Sequence, residues 1–189
     1  MNRRQAIQNV TFLLGGTLVG GSLFLQSGCN PSTPTIEQLS TPEMQALLAE
    51  IAETILPKTA TPGAKEAGVG AFIPVMVRDC YSPENQKVFL DGIATVNKLS
   101  KEKYGDGFEQ ITAEQRTELL TALDKEQKEY QTTKEKDAPS HYFRMMKELT
   151  LLGFFTSEVG ATKALRYVAV PTKFDACIDY KKGDRAWAT

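Results

Sequence analysis

Histidine is almost missing from this chain: His141 is the single one among 189 residues. An imidazole-based metal site needs two or three such ligands, so a His-Glu-x-x-His helix and its relatives are excluded. Cysteine is nearly as scarce, with Cys29, Cys80 and Cys177 far apart in the sequence. No Cys-x-x-Cys pair is present for zinc, iron–sulfur or thiol redox work, and no Cys-x-x-Cys-His for haem attachment. A Gly-x-Ser-x-Gly nucleophile turn and a phosphate-cradling glycine motif beside a strand are also missing. Positive charge is not in excess either. All 23 acidic residues but only 20 of the 22 Lys and Arg follow residue 28, leaving a net charge of −3 on the remaining 161 residues. A nucleic-acid partner would call for a concentrated basic patch, so none is expected.

Two weak leads toward catalysis remain. His141 lies between Ser140 and Tyr142 and could act as a base for either, but such neighbours arise by chance, and a surface or capping histidine is the simpler reading. Glu148 and Glu158 are ten residues apart, nearly on one face of a continuous helix, which could form a carboxylate pair. Nothing else supports acid–base chemistry, and they read as solvated or interfacial. The sequence therefore points to no catalytic, cofactor-binding or metal-ligating residue of its own.

What is present at the start is an address. Arg3 and Arg4 precede an uncharged run from Val10 to Leu25 that carries four glycines. As a helix it would span roughly 24 Å, short of the ~30 Å hydrocarbon core of a bilayer. A positive start, a short apolar run and a small-residue exit fit an export signal over residues 1–28. The paired arginines resemble a twin-arginine signal, although Ala6 stands where a large apolar residue is usual, and an ordinary Sec signal fits as well. Leu25-Gln26-Ser27-Gly28-Cys29 resembles a lipobox, which makes Cys29 the candidate lipidation site, with Gln26 as its departure from the pattern. Residues 29–40 follow as a Pro/Ser/Thr tether. With Cys29 lipidated, Cys80 and Cys177 are left as either one disulfide closing a loop of nearly a hundred residues, or two buried thiols.

The segment from residue 41 to residue 189 reads as one all-α domain. Thr41-Pro42-Glu43 is a helix start, and Met44, Leu47, Leu48, Ile51 and Ile55 give its apolar face. A Pro/Gly-rich loop follows, and then a dense apolar run that Pro74 would start or kink. Ser82-Pro83-Glu84 repeats the start signal ahead of Val88, Phe89, Ile93, Val96 and Leu99. Thr112 with Gln115 forms a capping box before Leu119, Leu120 and Leu123. The charge-rich stretch after it reads as a solvated helix end. The most apolar helix comes next, with Phe143, Met146, Leu149 and Leu152 on one face. The last thirty residues have no period and read as an extended tail packed across the bundle.

Three stretches carry a resemblance: "IAETILPKTATPGAKEAGVGAFI" (51–73), "MMKELTLLGFFTSEVGATKALRY" (145–167) and "VPTKFDACIDYKKGDRAWA" (170–188). Together they resemble the gluconate 2-dehydrogenase subunit 3 family. The resemblance implies an accessory subunit that binds, helps fold and exports or anchors a separate dehydrogenase. That large subunit would be a flavoprotein of the glucose-methanol-choline type, holding FAD and oxidising a sugar, sugar acid or polyol. A cytochrome c subunit would accept its electrons, and the complex would sit in the periplasm or cell envelope, tied to a membrane by the lipid. A scaffold of this kind needs apolar or aromatic side chains that a partner covers, and the candidates are Phe154, Phe155, Tyr167, Tyr180 and Trp187. The competing expectation is a free-standing envelope lipoprotein that acts on or binds sugars with no dehydrogenase partner.

Overall fold

The structure, a computed structural model, describes residues 33–188. Arg3, Arg4 and Cys29 lie outside the described residues. Five α-helices build the body: α1 (Pro42–Ile55), α2 (Val69–Cys80), α3 (Pro83–Tyr104), α4 (Ala113–Thr133) and α5 (Tyr142–Thr156). Among the described residues there is no strand, only an isolated bridge between Arg166 and Trp187. The all-α expectation therefore holds.

The capping residues read from the sequence set the helix starts. Thr41 accepts from the Met44 amide, Ser82 from Asn85, and Thr112 and Gln115 form the reciprocal box that opens α4. Each such cap satisfies amides that helix geometry leaves without partners, worth about 1 kcal/mol. Buried Leu47, Leu48 and Ile51 of α1 meet Val69, Ile73 and Val77 of α2, with Phe89, Ile93 and Val96 of α3 and Leu119, Leu120 and Leu123 of α4 in the same core. Helix α5 packs against all four of the others.

Helix α2 removes one of the two alternatives for Pro74. It begins at Val69, and Pro74 lies inside it instead of starting it. The start is set earlier by Gly68, whose φ of +73° is a left-handed conformation that glycine adopts without strain. Pro74 has no N–H for the Gly70 carbonyl one turn back, yet its ring is buried, so packing compensates for the lost bond. Gly70 itself is pressed against α1: a Cβ there would lie 2.6 Å from the Gln45 carbonyl and 2.7 Å from Ala49 Cβ.

The loop between α1 and α2 is organised by two acids of α1. The Glu53 carboxylate accepts from the amides of Lys58 at 2.9 Å and Lys65 at 2.8 Å. A Cβ on Gly63 would come within 2.3 Å of that carboxylate. One turn earlier, Glu50 is paired with both Lys65 and Arg116. Arg116 also donates to the carbonyls of Phe108 at 3.0 Å and Glu109 at 2.5 Å. A single guanidinium thus joins α1, α4 and the turn that precedes α4. At the α2–α3 corner, the Gln86 carboxamide lies 3.0–3.2 Å from the carbonyls of Val77, Arg78 and Tyr81. It covers acceptors that the end of α2 leaves open.

Two expectations fail. Residues 33–40, read as part of a tether, belong to the body: Pro34 is buried, Leu39 is 0% exposed, and Glu37–Ser40 form a 3-10 turn packed on α1 and α2. A Pro/Ser/Thr composition hid the two side chains that the core takes up. The last residues do not pack across the bundle either, since from Tyr167 to Ala186 the chain is exposed throughout.

Two outcomes are expected in solution. Gly70→Ala forces α1 and α2 apart against backbone atoms, and should cost about 1–3 kcal/mol in thermal or denaturant unfolding. Asp124 is held down to about 2, first by Lys128 and then by Lys147. A carboxylate whose folded pKa is depressed contributes stability above its unfolded value, 3.8, and that contribution is lost as pH falls toward 2. In acid titrations monitored by circular dichroism, Asp124→Asn should flatten the loss of stability over that window.

Candidate partner interface

Helix α5 is apolar around most of its circumference, and its two sides have different fates. Phe143, Met145, Met146, Leu149 and Phe154 are buried, with Thr150 and Gly153 between them. Leu151, Leu152 and Phe155 stand in solvent on the other side, beside the Arg144–Glu148 ion pair at 2.7 Å. A helix apolar beyond a single stripe has more apolar surface than one core contact covers. Leu152, expected on the buried face, is on the outer one.

The aromatic candidates divide in the same way. Phe154 is only 4% exposed and belongs to the core, so it is withdrawn as an interface residue; its ring meets that of Phe155 edge-on at 5.1 Å. Phe155, Tyr167, Tyr180 and Trp187 are exposed. The last three lie on or at the base of one loop. The structure closes this loop through two main-chain bonds: the Arg166 amide donates to the Ala186 carbonyl at 2.8 Å, and the Ala188 amide to the Arg166 carbonyl at 2.9 Å. The Arg166 guanidinium lies over the Trp187 ring at 4.4 Å. Its Nε is enclosed without a hydrogen-bond partner among the described residues, so stacking is the contact it makes there. Arg185 donates to the Lys163 carbonyl at 2.7 Å, which fixes the returning segment to the π-helical turn Gly160–Ala164.

Between these fixed ends the loop presents apolar side chains to water. Phe174 is 90% exposed and Tyr180 76%, with Val170 and Ile178 also exposed. Phe174, Val170, Ile178 and Leu151 escaped the sequence reading, and Leu152 was placed on the opposite face. The signal for the two leucines was the width of the apolar arc on α5. For the loop, the missing period was itself the signal, because residues with neither a 3.6- nor a 2-residue repeat have no regular face to bury.

The remaining sequence candidates do not converge. His141 is the N-cap of α5: it is buried, and its Nδ1 accepts from the Phe143 amide at 3.2 Å. Its Nε2 lies 3.5 Å from Glu126, and its ring stacks on Tyr142 at 4.2 Å between centroids. It is a capping residue, as the simpler reading had it, though inside and not on the surface. Burial, followed by the charge of Glu126, raises the Tyr142 hydroxyl well above its ordinary range. Glu148 and Glu158 do not share a helix face, because α5 ends at Thr156 and Ser157 caps it in an extended conformation. Cys80 and Cys177 are free and exposed, neither bonded to each other nor buried as the two alternatives had it. A polar groove of about 440 Å³ is lined by Tyr81, Glu84, Asn85, Asp137, Ser140 and Glu148 among others. Among the described residues no cluster of His, Cys, Asp and Glu could hold a metal ion, and no helix is long and apolar enough to cross a membrane.

None of the curated proteins and none of the solved structures compared matches the chain. A family model does, that of gluconate 2-dehydrogenase subunit 3, over residues 42–171. The matched span runs from the first residue of α1 through α5 to the root of the exposed loop, and the chain belongs to the gluconate 2-dehydrogenase subunit 3 family.

Proposed function

We propose that this chain is the non-catalytic small subunit of a dehydrogenase complex. It binds a separate flavoprotein of the glucose-methanol-choline type, helps it fold, and carries or anchors it at the cell envelope. FAD belongs to that large subunit, which oxidises a sugar, sugar acid or polyol and passes electrons to a cytochrome c subunit. Membership of a family of dehydrogenase subunits supports the reading. The observation that carries it is the loop closed at Arg166 and Trp187, with Phe174 and Tyr180 held out in water. Exposing a phenyl ring forgoes about 1.5–3 kcal/mol of burial, and a fixed aromatic anchor recovers this when a partner covers it.

In the same reading Arg3 and Arg4 direct export, Cys29 carries the lipid, and the complex works on the outer side of a membrane. One feature favours the alternative of a sugar-binding lipoprotein: the polar groove beside Tyr81, whose carboxylates and Asn85 are hydrogen-bonding groups of the kind that hold hydroxyls. Binding of gluconate or glucose to the purified chain, abolished by Glu84→Gln with Asn85→Ala, would promote that alternative over the subunit reading.

The loop variant Phe174→Ser with Tyr180→Ser should leave the melting temperature unchanged and lower recovery of the flavoprotein from native membranes at least about tenfold, as loss of two aromatic anchors implies. Phe154→Ala should instead cost about 3–5 kcal/mol of stability. Equal recovery with the loop variant, from a dehydrogenase that stays active without this chain, would refute the subunit reading. Replacing Arg3 and Arg4 with lysines should leave the flavoprotein in the cytoplasm if export is by the twin-arginine route, which activity measured in the envelope fraction would check.

A further inference from the structure

We infer that the Arg166 guanidinium, at the root of the exposed loop, is a carboxylate-binding group that takes an Asp or Glu side chain of the flavoprotein. This rests on the reading above that a flavoprotein is the partner. Five arginines lie among the described residues. Arg78, Arg116 and Arg144 belong to the helices, and each holds a carboxylate: Asp79 at 2.7 Å, Glu50, and Glu148 at 2.7 Å. The two at the loop root hold none among the described residues. Arg185 donates only to the carbonyls of Thr162 and Lys163, and the Arg166 side chain makes no hydrogen bond, its Nε being enclosed without a partner. Asp184, next to Arg185 in the sequence, accepts instead from the Lys181 amide at 3.0 Å.

Arg166 is nonetheless held in place. Its own amide and carbonyl close the loop, and its guanidinium lies 4.4 Å from the centre of the Trp187 ring. A buried donor left unmade is costly and calls for an explanation. A guanidinium can stack through its face and donate through its edge at once, and its fork of N–H groups matches a carboxylate. Here the enclosed atom is Nε, and the Nη end is not enclosed. Stacking on Trp187 thus sets the direction of that end before any anion arrives, which lowers the ordering cost of the contact. The loop between the two arginines carries Lys173, Lys181 and Lys182 against Asp175, Asp179 and Asp184. With no net charge of its own, it suits one directed ion pair and not an extended anionic surface. Phe174 and Tyr180 on the same loop are anchors for a protein surface, so the carboxylate belongs to that protein. Arginine beside aromatic anchors is the charged residue that interface centres favour.

The test measures binding of the separated flavoprotein to the full chain as isolated from cells, at about 50 and about 300 mM NaCl, a range over which exposed charge pairs become screened. The wild-type Kd should rise at least about threefold across it. Arg166→Gln should weaken binding at least about tenfold at the lower salt and flatten the salt dependence. Arg166→Lys should recover the salt dependence with only part of the affinity, because the charge returns without the fork. Lys182→Gln removes a charge from the same loop and should change the affinity less than about twofold. Equal binding by Arg166→Gln, or an equal loss in Lys182→Gln, overturns the inference. A lower melting temperature for Arg166→Gln with the salt dependence intact also overturns it, since the side chain would then only hold the loop. Displacement of the flavoprotein by gluconate from the wild type but not from Arg166→Lys would assign the group to a free sugar acid and overturn it too. If Phe174→Ser with Tyr180→Ser loses the flavoprotein while Arg166→Gln binds as the wild type does, the subunit reading stands and this inference alone falls. A wild-type chain with no affinity for the flavoprotein removes both.

Discussion

Because α5 is in contact with each of the other four helices, the burial of its Phe143–Phe154 arc is the constraint on which the body depends. Fully burying Phe143, Met146 and Leu149 contributes about 1.5–3 kcal/mol for each side chain, and no other helix could supply that surface to all its neighbours at once. Its start is correspondingly well secured. The His141 imidazole caps it, with its ring between Tyr130 and Tyr142 at 5.6 and 4.2 Å. An imidazole is an uncommon cap compared with Ser, Thr, Asp or Asn. Here its ring also fills space against two tyrosines, which a hydroxyl could not do.

The polar contacts are placed where the helices cannot reach. Glu53 satisfies two amides of the α1–α2 loop, and Glu50 faces Lys65 and Arg116 one turn away. Arg116 is shielded by the Phe108 ring, 5.8 Å from its guanidinium, and satisfies carbonyls of the turn before α4. A partly buried pair of this kind is costly to break and less clearly stabilising to form. Its physical effect is to fix loop geometry. With Cys80 and Cys177 unbonded, the loops of the body are tied down by carboxylates, a guanidinium and Gln86 at its corner.

How far this was legible in the sequence follows from which residues act locally. Thr41, Ser82 and Thr112 act on amides two or three residues away, so their helix starts could be read directly. The apolar faces of α1 and α3 could be read too, since period alone selects the buried side. Whether Pro74 starts or interrupts α2 could not, because that depends on Gly68 and on the close approach of Gly70 to α1, which sequence spacing does not contain. Phe154 and Phe155 are adjacent and chemically identical, yet one is core and the other surface. Only the rotation of α5 against four neighbours separates them. Residues 33–40 were missed for a similar reason: Ile36 and Leu39 are isolated apolar residues in a polar stretch, and the site Leu39 fills is made by α1 and α2.

The loop between Arg166 and Trp187 brings the same reasoning to recognition. A disordered tail with these aromatics would lose on the order of 1–2 kcal/mol of backbone entropy for every residue a partner ordered. Tying its ends with two main-chain bonds, a stacked guanidinium and the Arg185 contact removes part of that loss beforehand, since a closed loop has fewer conformations to give up. Most of the loop lies beyond residue 171, where the family match stops, whereas the body that holds its root lies within the match. The two parts are thus under different physical demands: the body has to fill one core, and the loop has to stay fixed at its base while Phe174 and Tyr180 remain uncovered.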